Sequence, residues 1–142
     1  MRRLIPLVLL AAACGGGALD DFPRDEVTVA GEVWPVAVAD DPGERAQGLT
    51  GVTDLGDLAG MLFVFVVDTT AGFWMKDTPL PLDIAFFAAD GSLVDLLSMT
   101  PCLGEDCPTY RAGGRYRFAL EVPAGGFAGL EYLRLDPASV GD

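Results

Sequence analysis

The chain has no histidine, and its single lysine, Lys76, stands among eight arginines. Without an imidazole, Ser-His-Asp and Cys-His catalysis are excluded, and so is the commonest metal ligand. Cysteine is scarce: three residues with no CxxC pair, too few and too badly spaced for a four-ligand zinc site. There is no G-x-x-x-x-G-K-[ST] loop and no dinucleotide fingerprint. No metal and no cofactor are therefore expected. Cations are few as well, nine Lys and Arg against 21 Asp and Glu, for a net charge of −12. That balance disfavours nucleic acid as a partner, because phosphate contacts need patches of Lys and Arg. It equally disfavours electrostatic docking on anionic headgroups. The one cationic cluster is Arg111, Arg115 and Arg117. There is no internal repeat, and the apolar run Leu4–Leu10 is too short, and too interrupted by Pro6, to span a bilayer.

What is present begins with an N-terminal signal. A basic start (Met1-Arg2-Arg3), the apolar LIPLVLL and three alanines precede Cys14, the layout of a secretory leader over residues 1–13. LAAAC is similar to a bacterial lipobox, in which the cysteine becomes the lipidated first residue; Ala11 stands where leucine is usual, and Leu10 is one place early. Cleavage near Ala13 by a plain secretory route is the alternative. Lipidation of Cys14 suits the GGGALDDFPRDE that follows, a polar tether over residues 14–25. The expectation is an exported protein whose partner is the cell membrane or envelope, reached through a lipid anchor. Loss of Arg2 and Arg3 leaves seven cationic residues against 21 acidic ones, a net charge of −14 for the mature chain.

Residues 26–142 read as one β-rich domain. VTVAGEVWPVAV (27–38) predicts two strands around a turn at Gly31-Glu32, with Pro35 at an edge or bulge. In DDPGERAQGL, Asp41 suits an N-cap, Pro42 the first helical position and Glu44 the third residue of a capping box, so a short helix from Pro42 to about Gln47 is predicted, stopped by Gly48. Residues 51–60 read as loop. MLFVFVV (61–67) is continuously apolar and predicts a central strand buried on both faces. FWMK and LDIAFF predict an antiparallel pair joined by DTPLP, and AADG a hairpin turn into SLVDLLSM. YRFALEV and EYLRL predict the last two strands, and DPASVGD a frayed tail. The expected fold is mainly β, bordering on α+β: a small closed or partly open β-barrel of seven to eight short strands with one short helix. Roughly 130 mature residues bury about two-thirds of their unfolded surface, enough for one core. Cys102 and Cys107, in PCLGEDCP, predict a structural disulfide in an exported chain, contributing on the order of 2 kcal/mol through its short loop.

GFWMKDTPLPLDIAFF (72–87) carries the functional question, because it sets Lys76, Asp77 and Asp83 among core-like residues. Lys76 can be a surface lysine whose stem covers Trp74, or a desolvated amine. Asp83 can be a structural acceptor at a strand start. GMLFVF (60–65), FWMKDTPLPLDIAFF (73–87), MTPC (99–102), CPTY (107–110) and YRFALEVPAG (116–125), with ERAQGL before them, together resemble domain-of-unknown-function family 192. Asp77 stands where that family usually has asparagine, and the C-terminal GFAGLEYLRLD replaces its usual short helix and turn. The resemblance implies a compact β-rich domain, commonly exported or envelope-attached, and brings no established reaction. The expected function is a non-catalytic, lipid-anchored domain binding an unknown small molecule or peptide. Its expected site is Phe73, Trp74, Met75, Lys76, Asp83 and Pro101. The alternatives are an enzyme using Lys76 with Asp83, and a structural envelope protein in which those two form an internal ion pair.

Overall fold

The computed structural model describes residues 17–141; the expected signal peptide and Cys14 lie outside the described residues. The elements follow in the order β1 (Arg24–Val29), β2 (Glu32–Ala39), α1 (Pro42–Gln47), β3 (Gly60–Thr69), β4 (Phe73–Trp74), β5 (Leu82–Phe87), β6 (Leu93–Met99), β7 (Thr109–Tyr110) and β8 (Tyr116–Pro123), with a 3-10 turn at Pro137–Ser139. Six strands form one sheet in the order β1-β2-β3-β8-β5-β6, and β4 pairs with β7 in a separate two-stranded ladder. All pairings in the large sheet are antiparallel except β2–β3, whose connection carries α1. No described helix is long and apolar enough to cross a membrane.

The strands do not close into a barrel, because the ladder has two ends, β1 and β6. The continuous apolar strands that suggested closure are instead buried by cover on both sides. Period-2 alternation splits them cleanly. Met61, Phe63, Ile84, Phe86 and Ala119 face one core, which is roofed by Leu49, Val52, Leu55, Leu58 and Met75 from the connections. Leu62, Ala85, Phe87, Leu120 and Val122 face the other, which is roofed by Phe127 and Leu135 from the C-terminal segment. β3 is central as expected, but only its first half is buried on both faces; Val66 and Val67 project from a bulge where the register with β8 slips between Val64 and Thr69.

Several local expectations need correction. FWMK and LDIAFF do not pair: β4 turns away to β7, and β5 inserts between β8 and β6. The first hairpin turns one residue earlier than expected, on Ala30 and Gly31, whose φ values of 51° and 78° supply the mirror-image turn that suits strand twist. Pro35 lies inside β2 rather than at an edge; the ladder with β3 starts only at Val36, so its missing N–H leaves no partner unmatched. EYLRL forms no strand. Leu135 makes a single bridge to Val29 and donates its N–H to Gly91 O, tying the first hairpin to the β5–β6 turn. A side chain at Gly91 would collide with the Leu135 carbonyl, so this approach requires glycine. The tail is docked, not frayed: Ser139 Oγ accepts from Thr28 N–H and Asp25 from Gly141 N–H. Order also begins earlier than residue 26, since Leu19 and Phe22 of the expected tether are buried in the first core.

Candidate functional site

The sheet's first face carries a cavity of about 240 Å³. One wall comes from α1 and the residues after it. The helix is only six residues long, held by the expected capping box: Asp41 Oδ1 accepts from Glu44 N–H, and Glu44 Oε2 accepts from the N–H groups of Asp40 and Asp41. Asp40, Asp41 and Glu44 are the one group of acids among the described residues close enough to share a cation, and the cap accounts for their approach. Gly48 ends the helix at φ 47°, and a Cβ there would come within 3.4 Å of the Phe63 ring. The helix end therefore seats directly on that aromatic wall. Arg45 lies over the Phe65 ring at 5.0 Å, with Nη1 donating to the carbonyls of Asp40 and Val64.

The opposite wall is β4 and the turn after it. Phe73 stands edge-on to Phe63 at 5.0 Å and beside Phe86 and Tyr116, so its ring is part of the core while one side meets the cavity. The Met75 carbonyl accepts from Thr78 N–H, which closes a turn with Asp77 at φ 53°. Asp and Asn tolerate that left-handed conformation better than other non-glycine residues. The exchange of asparagine for Asp77 is thus conformationally conservative. The wall is fixed from behind by the Cys102–Cys107 disulfide loop: Cys102 N–H donates to Met75 O and Cys102 O accepts from Asp77 N–H. Gly51 N–H, donating to Asp77 O, ties the two walls together.

Glu121 lies at the floor. It is on β8 between Met61 of β3 and Ile84 of β5, both fully buried. Burial alone pushes its carboxyl up to about 8. Among the described residues its side chain has no hydrogen-bond partner, yet no side-chain oxygen sealed from solvent lacks one. The carboxyl therefore opens onto the cavity, where Glu121 and Arg45 are the charged residues. Around it stand Phe63, Phe65, Phe73, Trp74 and Met75, with Gln47, Thr50 and Thr78 as the uncharged polar side chains.

Of the residues expected at the site, the structure brings Phe73, Trp74 and Met75 to the cavity; Lys76, Asp83 and Pro101 stay outside it. Lys76 Nζ sits 5.6 Å from the centre of the Trp74 ring and makes no ion pair within 4.0 Å among the described residues. Asp83 accepts from Ser98 Oγ at 2.9 Å and from Gly125 N–H at 2.8 Å. It fixes the end of the β8 turn, far in role from Lys76. The Arg111, Arg115 and Arg117 cluster caps the protruding end of β3, on Thr70 O, Asp68 O and the Asp68 carboxylate.

From the sequence, Glu121 enters only as one acid that could pair with Asp83 in a two-carboxylate hydrolase, a pairing made cheap by 21 acids. The signal was its neighbourhood: YRFALEV pairs with strands apolar on both faces, and a strand with no wet side has nowhere to hide a glutamate.

Comparison with known proteins decides the lineage. The profile of DUF192, described as an uncharacterized ACR, matches residues 26–132. The chain belongs to the DUF192 family. Two solved structures share the fold. A candidate transcription regulator from Sinorhizobium meliloti 1021 is 29% identical, with a TM-score of 0.70, over 84% of this chain and 97% of that one. A protein of unknown function from Novosphingobium aromaticivorans DSM 12444 is 30% identical, with a TM-score of 0.66, over 81% and 83%. No curated protein matches. The DUF192 match runs through every element that builds the cavity, from β2 to β8.

Proposed function

We propose that this DUF192 domain is a binding module for a small, largely apolar molecule held over Glu121. One observation carries this reading: among the described residues Glu121 is the one buried charged residue, and its carboxyl, without a protein partner, stands at the floor of an aromatic cavity. Burying such a group unpaired costs stability and contributes nothing to packing, so its upkeep fits a ligand that supplies the missing partner. The alternative of an enzyme using Lys76 with Asp83 is not favoured, since Asp83 is committed to Ser98 and Gly125 and neither residue lines the cavity. The transcription-regulator description of the Sinorhizobium relative is not extended to this chain: its net charge of −12, and arginines spent on backbone carbonyls and Asp68, offer no phosphate-binding patch.

The reading is tested by ¹H–¹⁵N NMR of residues 17–142 against a library of small neutral, cationic and anionic fragments. Saturable shifts should cluster on Gly48, Trp74, Met75 and Glu121. Shifts that scatter, or gather on the Val66–Val67 bulge instead, would sink it.

We further propose that the domain is exported and held at the envelope through lipidated Cys14, a residue outside those described. A Cys14→Ser variant should leave the membrane fraction of expressing cells and lose incorporation of a labelled fatty acid. Equal recovery of both forms with membranes would rule the anchor out.

A further inference from the structure

The cavity's charge arrangement defines its ligand class. Resting on the binding reading above, we propose that the occupant carries a primary ammonium group, which sits against Glu121 and supplies the counter-ion that the protein withholds.

Three observations converge on a cation. First, none of the protein's cations pairs with Glu121 among the described residues. Arg45, the one cation in the cavity lining, lies over Phe65 and gives Nη1 to two backbone carbonyls, Lys76 stands over Trp74 outside the lining, and the arginine cluster holds the end of β3. Second, the lining is aromatic, with Phe63, Phe65, Phe73 and Trp74 contributing. Ring π-systems attract ammonium groups and offer nothing comparable to an anion. Third, an anion would enter against the field of a chain with net charge −12, which draws a cation in, with Arg45 on the wall the one opposing charge of the lining. The carboxylate ligand that a lysine-lined site would suit loses its basis, because Lys76 is not in the cavity. A primary ammonium, a compact point charge on a slim stem, suits a cavity of about 240 Å³ better than the broad planar guanidinium.

Binding such a cation has a proton balance. Below its titration, Glu121 enters as a neutral acid; the arriving ammonium favours the carboxylate, and one proton leaves to solvent. The groups facing it are apolar on β3 and β5, and Arg45 on α1 is fixed in charge, so Glu121 is the titrating group of the site in the neutral range.

The test uses benzylammonium and its neutral counterpart benzyl alcohol, titrated from pH 6 to 8 and followed at the Trp74 indole resonance. Benzylammonium should bind at least tenfold tighter than the alcohol at pH 8, and weaken by about tenfold per pH unit below it, because the carboxylate must first form. The alcohol's affinity should be nearly flat. Glu121→Gln should erase the preference and the pH slope while leaving the alcohol bound. If the alcohol binds as well as benzylammonium, or Glu121→Gln leaves both unchanged, the ammonium assignment is overturned while the cavity remains a ligand site. If neither probe nor any fragment shifts the cavity resonances, the binding reading falls with it.

Discussion

The two faces of the six-stranded sheet are made from alternate residues of the same strands, yet they are finished differently. On the second face Leu120 and Val122 of β8 meet Leu62, Ala85 and Phe87, and the C-terminal segment seals them with Phe127, which stacks on Trp34 at 5.9 Å, and Leu135. On the first face the position between Leu120 and Val122 is Glu121, and the cover formed by α1 and β4 stops short of it, leaving a cavity of about 240 Å³. The dry face shows what this sheet does when stability alone is served. The other face departs from that by one carboxyl and one void, and both departures fall at the same place. An unpaired buried acid costs stability, and a void forfeits dispersion contacts. Their coincidence is why the first face is assigned the function and the second the fold.

The comparison can be broken most forcefully by truncating one large ring on each face. Phe87→Ala removes a fully buried ring from the sealed side and should destabilise the domain by about 3–5 kcal/mol, measured by urea unfolding at pH 7. Phe63→Ala should cost clearly less, since its ring already borders open space on one side and water can enter what is removed. An equal or larger loss at Phe63 would mean that the first face is packed as tightly as the second, and the distinction between the faces would not hold.

Much of the scaffold was legible because it is written locally. Asp41, Pro42, Glu44 and Gly48 specify α1 from its own cap residues, and the period-free run from Met61 marks a central strand. The short Cys102–Cys107 spacing specified its own loop. What failed was long-range. Nothing in FWMK says that it leaves LDIAFF for Thr109 and Tyr110, thirty-odd residues away, and DTPLP reads equally well as a hairpin or as a corner. EYLRL has strand composition but meets only the Val29–Ala30 and Asp90–Gly91 turns, because the C-terminal segment lies across the ends of two hairpins. The expectation of closure came from two-face burial, which an open sheet covered on both sides satisfies as well. Of the cavity's lining, Phe73, Trp74 and Met75 were legible in the sequence, since bulk and alternation mark them. Lys76 and Asp83 drew attention by rarity and position but lie outside that lining, whereas Glu121 reaches it through pairing partners that only the strand order reveals.

A smaller but more diagnostic effect sharpens the same comparison through pH. Glu121 titrates near 8 in the folded chain against an ordinary value of 4.5, raised by burial. Below 4.5 the folded and unfolded states both carry the proton, and the domain has its full stability from this group. Between 4.5 and 8 the unfolded chain has released the proton and the folded chain has not, so stability falls as pH rises, and above 8 this contribution levels off. The loss should reach a few kcal/mol between pH 5 and 8, taking 1.36 kcal/mol per pKa unit as the upper slope. Repulsion among the many surface acids tilts the curve in the same direction, so the wild-type slope alone decides nothing. The informative quantity is the difference from Glu121→Gln, which keeps shape and surface charge but removes the buried titration. Urea midpoints should converge for the two proteins near pH 5 and separate progressively toward pH 8, with the glutamine variant the more stable there. Benzylammonium should close that gap for the wild type alone, by pairing with the carboxylate that folding otherwise disfavours. Parallel pH curves would mean that Glu121 ionises freely in water, and the first face would then be wet surface rather than a site.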